Sequence, residues 1–272
     1  MPITGDMLLK EMKSFKEYAG FDGGISKLEK IVDEFEENNH PTTPGNPSRE
    51  IKSVTETAYQ RAIFYDKAGS ILKLTPNEDA HVIWKDLEVP LTFSGNSRRA
   101  CADLIGRSRD NYIIGELKYY NNSSNMRPEY AIFEVLIYYW LITENIDGLM
   151  EHNVSHEGYD ISWEAFFGEE QYLVVGANKK YWDYWLKSGT NDKFSYRKAA
   201  KNNEQGFDKK SSNGENLSSL VKYLNRKYSV NIICFKTPDC DFEAQKGEKE
   251  TYIPELDNTQ PFLWERLFDN ND

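Results

Sequence analysis

The sequence predicts an α/β fold, and three observations predict it. Two short apolar runs, Ala100 to Gly106 and Tyr112 to Lys118, flank a polar turn, Arg107 to Asn111, as in a strand hairpin. Segments with apolar residues at helical spacing lie before and after that hairpin. A helix-like stretch, Leu217 to Tyr228, runs into a strand-like one, Val230 to Phe235. The order is helix, strands with the hairpin, helix, strand, helix, strand.

The elements follow in chain order. Residues 6–18 carry Met7, Leu8, Met12 and Phe15 on one helical face, and Gly20, Gly23 and Gly24 end that helix. Ile25 to Phe35 repeats the pattern with Leu28, Ile31, Val32 and Phe35. These two helices make an N-terminal extension over residues 1–40, a small cap or a partner surface. Asn38 to Ser48 holds three prolines and a glycine and reads as a linker. Ser48 to Phe64 reads as a helix, with Ser48 as N-cap and Ile51, Val54, Ala58 and Ala62 on its apolar side. His81 to Trp84 and Leu87 to Phe93 read as strands. Asn121 to Pro128 is a polar loop, and Pro128 opens a helix over Glu129 to Thr143, because the first helical position needs no amide hydrogen. Gln171 to Gly176 reads as a buried strand and Lys179 to Leu186 as an aromatic helix. The core spans 48–238. Residues 239–272 form an acidic tail that ends in an apolar cluster, Pro261-Phe262-Leu263-Trp264, able to dock on the core.

Side chains alternate along a strand, so Tyr112, Ile114, Glu116 and Lys118 share one face. A paired register brings Asp103 beside Glu116. Two carboxylates and one ammonium on an apolar sheet are costly unless they are paired or bind metal.

Asp103 followed by Glu116-Leu117-Lys118, with Ile113-Ile114-Gly115 leading in, resembles the PD-(D/E)XK nuclease superfamily. The resemblance covers roughly 48–236 in element order, with its specific motifs inside 56–138. It implies a restriction-endonuclease-like core, a central mixed β-sheet flanked by helices, carrying the N-terminal helical extension. It implies hydrolysis of phosphodiester bonds by a Mg²⁺-dependent endo- or exonuclease, with Mn²⁺ as the other candidate ion. Asp103, Glu116 and the Leu117 carbonyl are the implied metal ligands. Lys118 would orient water or offset phosphate charge. A glutamate on the helix before the sheet is a further ligand in such nucleases; Glu56 fills that place here, with Glu50 as its rival. Exonuclease-like branches carry Gln-x-x-x-Tyr on the helix after the catalytic strand. This chain has Glu134 and Tyr138 at that spacing, on one helical face. The replacement of Gln by Glu would repel phosphate unless Glu134 is protonated or contacts a cation. Arg98, Arg99, Arg107, Arg109 and Arg127 lie around the hairpin in sequence and could hold phosphates.

Charge bears on the partner. The 272-residue chain has a net charge of −11. Residues 1–40 hold 5 basic and 9 acidic side chains, and 239–272 hold 3 and 10, so the middle is neutral overall and can hold a basic groove. The clearest basic stretch, 196–227, includes Lys209 and Lys210 within a Gly- and Asn-containing loop. It reads as an arm over a nucleic-acid backbone. The expected partner is nucleic acid, with DNA as the expected substrate in restriction, repair or phage defence; a homo-oligomer is compatible with the sequence. No apolar run reaches the roughly 18–20 residues that span a membrane, and no membrane partner is expected. The start, Met1-Pro2-Ile3-Thr4-Gly5-Asp6, lacks the charged and apolar regions of a signal peptide. Cys101, Cys234 and Cys240 form no metal-spaced set, so a cytoplasmic, reduced protein is expected. His81 has no second ligand at metal spacing, and His152 and His156 lack a third. Two other readings remain: a nucleic-acid-binding or interaction module that does not cleave, and a structural α/β protein with an accidental motif.

Overall fold

The computed structural model describes residues 2–20, 22–35, 46–52, 55–66, 68–92, 100–120, 126–155, 160–186, 213–237, 245–246, 252–253 and 262–268. The helices are α1 (Gly5–Ala19), α2 (Ile25–Asp33), α3 (Glu56–Phe64), α4 (Pro128–Glu144), α5 (Ile146–Ser155), α6 (Lys179–Leu186) and α7 (Asn213–Tyr228). The strands are β1 (Ser70–Thr75), β2 (Glu78–Thr92), β3 (Ala100–Ser108), β4 (Asn111–Lys118), β5 (Glu170–Asn178), β6 (Ile232–Thr237), β7 (Gln245–Lys246), β8 (Tyr252–Ile253) and β9 (Phe262–Arg266).

Seven strands close into a barrel in the order β1-β2-β3-β4-β5-β6-β9. This corrects the expected open mixed sheet flanked by helices: the sheet has no free edges and the helices lie outside it. Two short strands that local patterning leaves out bring this about. β9 pairs parallel with β1 through Ser70↔Phe262, Ile71↔Leu263 and Leu72↔Trp264, and antiparallel with β6 through Phe235↔Arg266 and Lys236↔Glu265. The long β2 bends at register shifts between Trp84 and Asp86 and between Pro90 and Thr92, and pairs with β1 along one part and β3 along another. Such irregularities bend a strand enough to close a sheet.

Seven strands leave a narrow interior, and side chains fill it. All seven contribute, among them Leu72, Trp84, Leu104, Ile113, Val174, Phe235 and Trp264, and Tyr59 and Ile63 of α3 join them. The two indoles fit because glycines face them. A Cβ at Gly106 would lie 2.6 Å from Trp84, and one at Gly176 would lie 2.5 Å from Trp264.

The second core lies between the barrel's outer wall and the helices. Ile105, Tyr112, Ile114, Leu173 and Val175 lie on the strands that pack against α4, whose flanks are buried nearly all round. A helix apolar on most sides belongs between other elements rather than at the surface. α1 covers it with Leu8, Met12, Phe15 and Ala19, spaced four, three and four apart, and α2 with Ile25, Leu28 and Val32. Thr4 caps α1 by accepting from the Met7 amide at 3.3 Å, and Gly20 ends it in the left-handed conformation at φ 71°. Among the described residues, no helix is long and apolar enough to cross a membrane.

The helix expected from Ser48 begins only at Glu56, with Thr55 as N-cap. Tertiary bonds hold the preceding segment away from helix geometry. Arg61 Nη1 donates to the Ser48 and Glu50 carbonyls at 2.7 and 2.6 Å, and the Asn46 side chain accepts from the Leu87 amide at 2.7 Å. For α4 from Pro128 and α6 over Lys179–Leu186 the expectation and the element nearly coincide, whereas the two strands expected from His81 and from Leu87 are one, β2, and α5 was not expected.

Candidate functional site

The hairpin ladder between β3 and β4 runs from Ser108↔Asn111 to Leu104↔Gly115. The next rung would set Asp103 opposite Glu116. There a side chain replaces a main-chain partner, and the Leu117 amide donates to Asp103 Oδ2 at 2.7 Å. Ile113 and Leu117 point into the barrel, so alternation sends Glu116 and Lys118 to the outer wall, toward α4.

Lys118 is the hub of what gathers there. Its Nζ pairs with Glu116 Oε1 of its own strand, with Glu134 Oε2 of α4 at 3.1 Å, and with Glu56 Oε1 of α3 at 3.7 Å. It also lies 5.8 Å from the centre of the Tyr130 ring. The other oxygen of Glu56 accepts from the Tyr119 amide at 3.2 Å, which ties the start of α3 to the end of β4. Glu116 is 1% exposed and Lys118 4%, while Asp103 is half-buried.

Four carboxylates thus surround one ammonium, and their protonation follows from that imbalance. Burial pushes Asp103 up to about 7 against the pull of Lys118, with Glu56 adding to the rise. Burial also holds Glu116 well above the usual carboxylate range, helped by Asp103 and Glu134. For Lys118 burial favours loss of the proton, but Glu116, Glu134, Glu56 and Asp103 outweigh it and keep the ammonium charged. Burial raises Tyr138 strongly, and the carboxylates of Glu116, Glu134 and Asp103 raise it further, so its hydroxyl stays protonated.

The structure brings Asp103, Glu116, Leu117, Lys118, Glu56 and Tyr138 into one region. Glu50 belongs to the segment pinned by Arg61, and its amide bonds Ser48 Oγ at 3.2 Å. Arg107 pairs with Glu169 and lies 4.6 Å over the Tyr112 ring, and Arg109 pairs with Glu78 at 3.0 Å; both occupy the turn end of the hairpin, away from Lys118. Arg127, just before α4, contacts Glu129 at 3.3 Å and lies 5.6 Å from the Trp185 ring centre. Arg98, Arg99, Lys209 and Lys210 lie outside the described residues, as does His156. Glu134 and Tyr130 complete the cluster. Their signal in the sequence was the spacing of 130, 134 and 138, which stacks three polar-tipped side chains on one helical face. The cation contact that a glutamate at 134 would need is supplied by Lys118.

Two observations fit these residues to a hard divalent cation. Their donors are carboxylate and carbonyl oxygens. Glu116 Oε2 is buried and has no hydrogen-bond partner among the described residues. In the geometry seen, the glutamates turn toward Lys118, and among the described residues no three His, Cys, Asp or Glu side chains are arranged to hold a metal ion. Comparison with models of known families, with curated proteins and with solved structures finds no match.

Proposed function

We propose that this protein is a metal-dependent phosphodiesterase that cleaves nucleic acid, with DNA as its substrate. The reading rests on the side-chain cluster and not on the barrel, which differs from the fold that the motif's resemblance implies. One observation carries it: the buried, unpartnered Glu116 Oε2 within a cluster of four carboxylates and one lysine. A buried polar oxygen without a partner is costly, and a cation that displaces the proton of this carboxyl is a ligand that removes the cost.

Asp103, Glu116, Glu56 and the Leu117 carbonyl would hold Mg²⁺ or Mn²⁺. Such an ion, when bound, supplies Lewis-acid stabilisation of the charge that develops at the phosphate. Lys118 orients the attacking water or offsets phosphate charge, and Glu134 keeps its ammonium charged and in place. Tyr138 offers a protonated hydroxyl. A second reading, a nucleic-acid-binding or interaction module that does not cleave, is favoured by the engagement of Lys118 with three carboxylates at once. Labelled circular and linear DNA and RNA, single- and double-stranded, incubated with Mg²⁺, Mn²⁺ or chelator, separate the two. Cleavage that stops in chelator supports the nuclease. Binding with no product under any of these conditions supports the module.

A further inference from the structure

The N-terminal helices meet α4 through two glycines. A Cβ at Gly5, the first residue of α1, would lie 3.1 Å from the Trp140 ring and 3.1 Å from Val32 of α2. A Cβ at Gly24, just before α2, would lie 3.2 Å from the Tyr130 ring. Tyr130 and Trp140 are far apart on α4, about 15 Å at 1.5 Å per residue. Gly24 is also held at φ 93°, a conformation that residues with a Cβ rarely adopt. Asp22 builds that turn, its carboxylate accepting from the Gly24 amide at 3.0 Å and from the Ser26 amide at 3.1 Å. The turn between α1 and α2 therefore lays bare backbone on an aromatic ring.

The Gly24 contact leads on to the carboxylate cluster. Tyr130 is buried, and its ring centre lies 5.8 Å from Lys118 Nζ. Its hydroxyl donates to the Glu134 carboxylate, one turn along the same helix. Glu134 Oε2 in turn lies 3.1 Å from Lys118 Nζ. One side chain thus offers its ring face to the ammonium and steadies, with its hydroxyl, a carboxylate that pairs with it. A close-packed interior cannot absorb a displaced ring, so a shift of the turn moves Tyr130 against Lys118 and Glu134.

We infer that Tyr130 is a positioning residue for Lys118 and that the Gly24 turn sets Tyr130, so that the N-terminal helical pair is part of the site and not a detachable cap. The role of Lys118 rests on the nuclease reading, but the contacts that hold it can be tested without metal or substrate.

The test is the Lys118 ammonium signal in proton–nitrogen correlation spectra of the full chain, with lysine nitrogens labelled, in chelator, assigned by its loss in Lys118→Arg. Tyr130→Phe should keep the signal's position, because the ring stays, and speed its exchange with water about fivefold or more, the effect of one lost hydrogen bond. Tyr130→Leu should speed exchange as much and also displace the signal, because the shielding by the ring goes. Gly24→Ala should displace it too. Asp22→Ala, which loosens the turn without adding an atom, should displace it in the same direction. Gly5→Ala is the control: it strains the same two helices on Trp140, and should lower the denaturant midpoint while leaving the Lys118 signal in place. A signal unaltered in both Tyr130 variants, or a wild-type ammonium that exchanges too fast to be seen, would overturn the positioning role. A signal unmoved by both turn variants, or moved as far by Gly5→Ala as by Gly24→Ala, would overturn the part played by the turn. Adding Mg²⁺ and labelled DNA separates this from the nuclease reading. A Tyr130-dependent signal without product keeps the contacts and defeats cleavage; product with a Tyr130-independent signal does the reverse.

Discussion

Glu134 Oε2 lies 3.1 Å from Lys118 Nζ, and this contact joins the middle of α4 to the last residue of β4. It is a buried pair with a second carboxylate, Glu116, on the same ammonium. Removing one partner of a buried pair is costly because the other charge is left exposed to a low-dielectric interior. Glu134→Gln keeps the shape and leaves Glu116 to balance Lys118, so it should cost about 1–2 kcal/mol of stability and lower turnover. Lys118→Ala should cost about 3–5 kcal/mol, lose turnover and retain metal binding. Denaturant melts and calorimetric titration with Mn²⁺ check both.

Glu56, the first residue of α3, pairs with Lys118, whereas Glu50 lies in the segment before the helix with its amide on Ser48 Oγ. Glu56→Gln should therefore weaken Mn²⁺ affinity by about tenfold or more, about 1.4 kcal/mol, whereas Glu50→Gln should leave it within a factor of two. Isothermal titration at fixed pH reads the difference. Equal effects of the two changes would remove Glu56 from the site.

The raised carboxyl of Asp103 sets a pH dependence for the metal-free protein. Its folded value, about 7, lies above the ordinary 3.8, so the folded state binds a proton that the unfolded chain releases. The penalty on stability is absent below about 4, grows as pH rises, and is complete above about 7. Thermal melts in chelator should therefore lose stability across that window, and Asp103→Asn should flatten the loss. Glu116 is shifted in the same direction and leaves a residual slope. Mg²⁺ should stabilise more at pH 8 than at pH 5, because at the higher pH it meets ionised ligands. A stability that rises from pH 5 to 8 in chelator would contradict the assignment.

The closure of the barrel makes its own prediction. Trp264 is fully buried against Trp84 at 5.6 Å and Phe235 at 6.0 Å between ring centres. Trp264→Ala should cost about 3–5 kcal/mol. Gly176→Ala, whose Cβ would meet the same indole, should also destabilise, by about 1–3 kcal/mol. Denaturant midpoints with unchanged slope would attribute the loss to the native core. A wild-type midpoint for Trp264→Ala would contradict the closure.

Local pattern carried the hairpin, α4 and α6, and with them the geometry of Asp103, Glu116 and Lys118, because each depends on neighbours within a few residues. Pro128 marks the start of α4, and the alternation in Tyr112 to Lys118 decides which face Glu116 takes. The barrel was not legible for a physical reason. It depends on pairing Ser70–Leu72 with Phe262–Trp264, segments that are remote in sequence and too short to show a period. Pro261-Phe262-Leu263-Trp264 could be read as apolar, but nothing local says that its tryptophan fills a barrel rather than docks on a surface. The start of α3 was hidden similarly, since Arg61 and Asn46 pin the preceding chain through contacts across the fold. The weight of Glu134 became visible only when Lys118 was found beside it.

The proposed nuclease activity depends on the Glu116 carboxylate acting through a divalent cation. The most direct measurement is single-turnover cleavage of labelled single- and double-stranded DNA by excess protein, wild type and Glu116→Gln, in Mg²⁺ and in chelator, with both proteins confirmed folded by circular dichroism. Cleavage is expected from the wild type in Mg²⁺ alone, with a loss of about a thousandfold or more, roughly 4 kcal/mol of transition-state stabilisation, in Glu116→Gln. Cleavage by the wild type in chelator, or undiminished cleavage by Glu116→Gln, would contradict it.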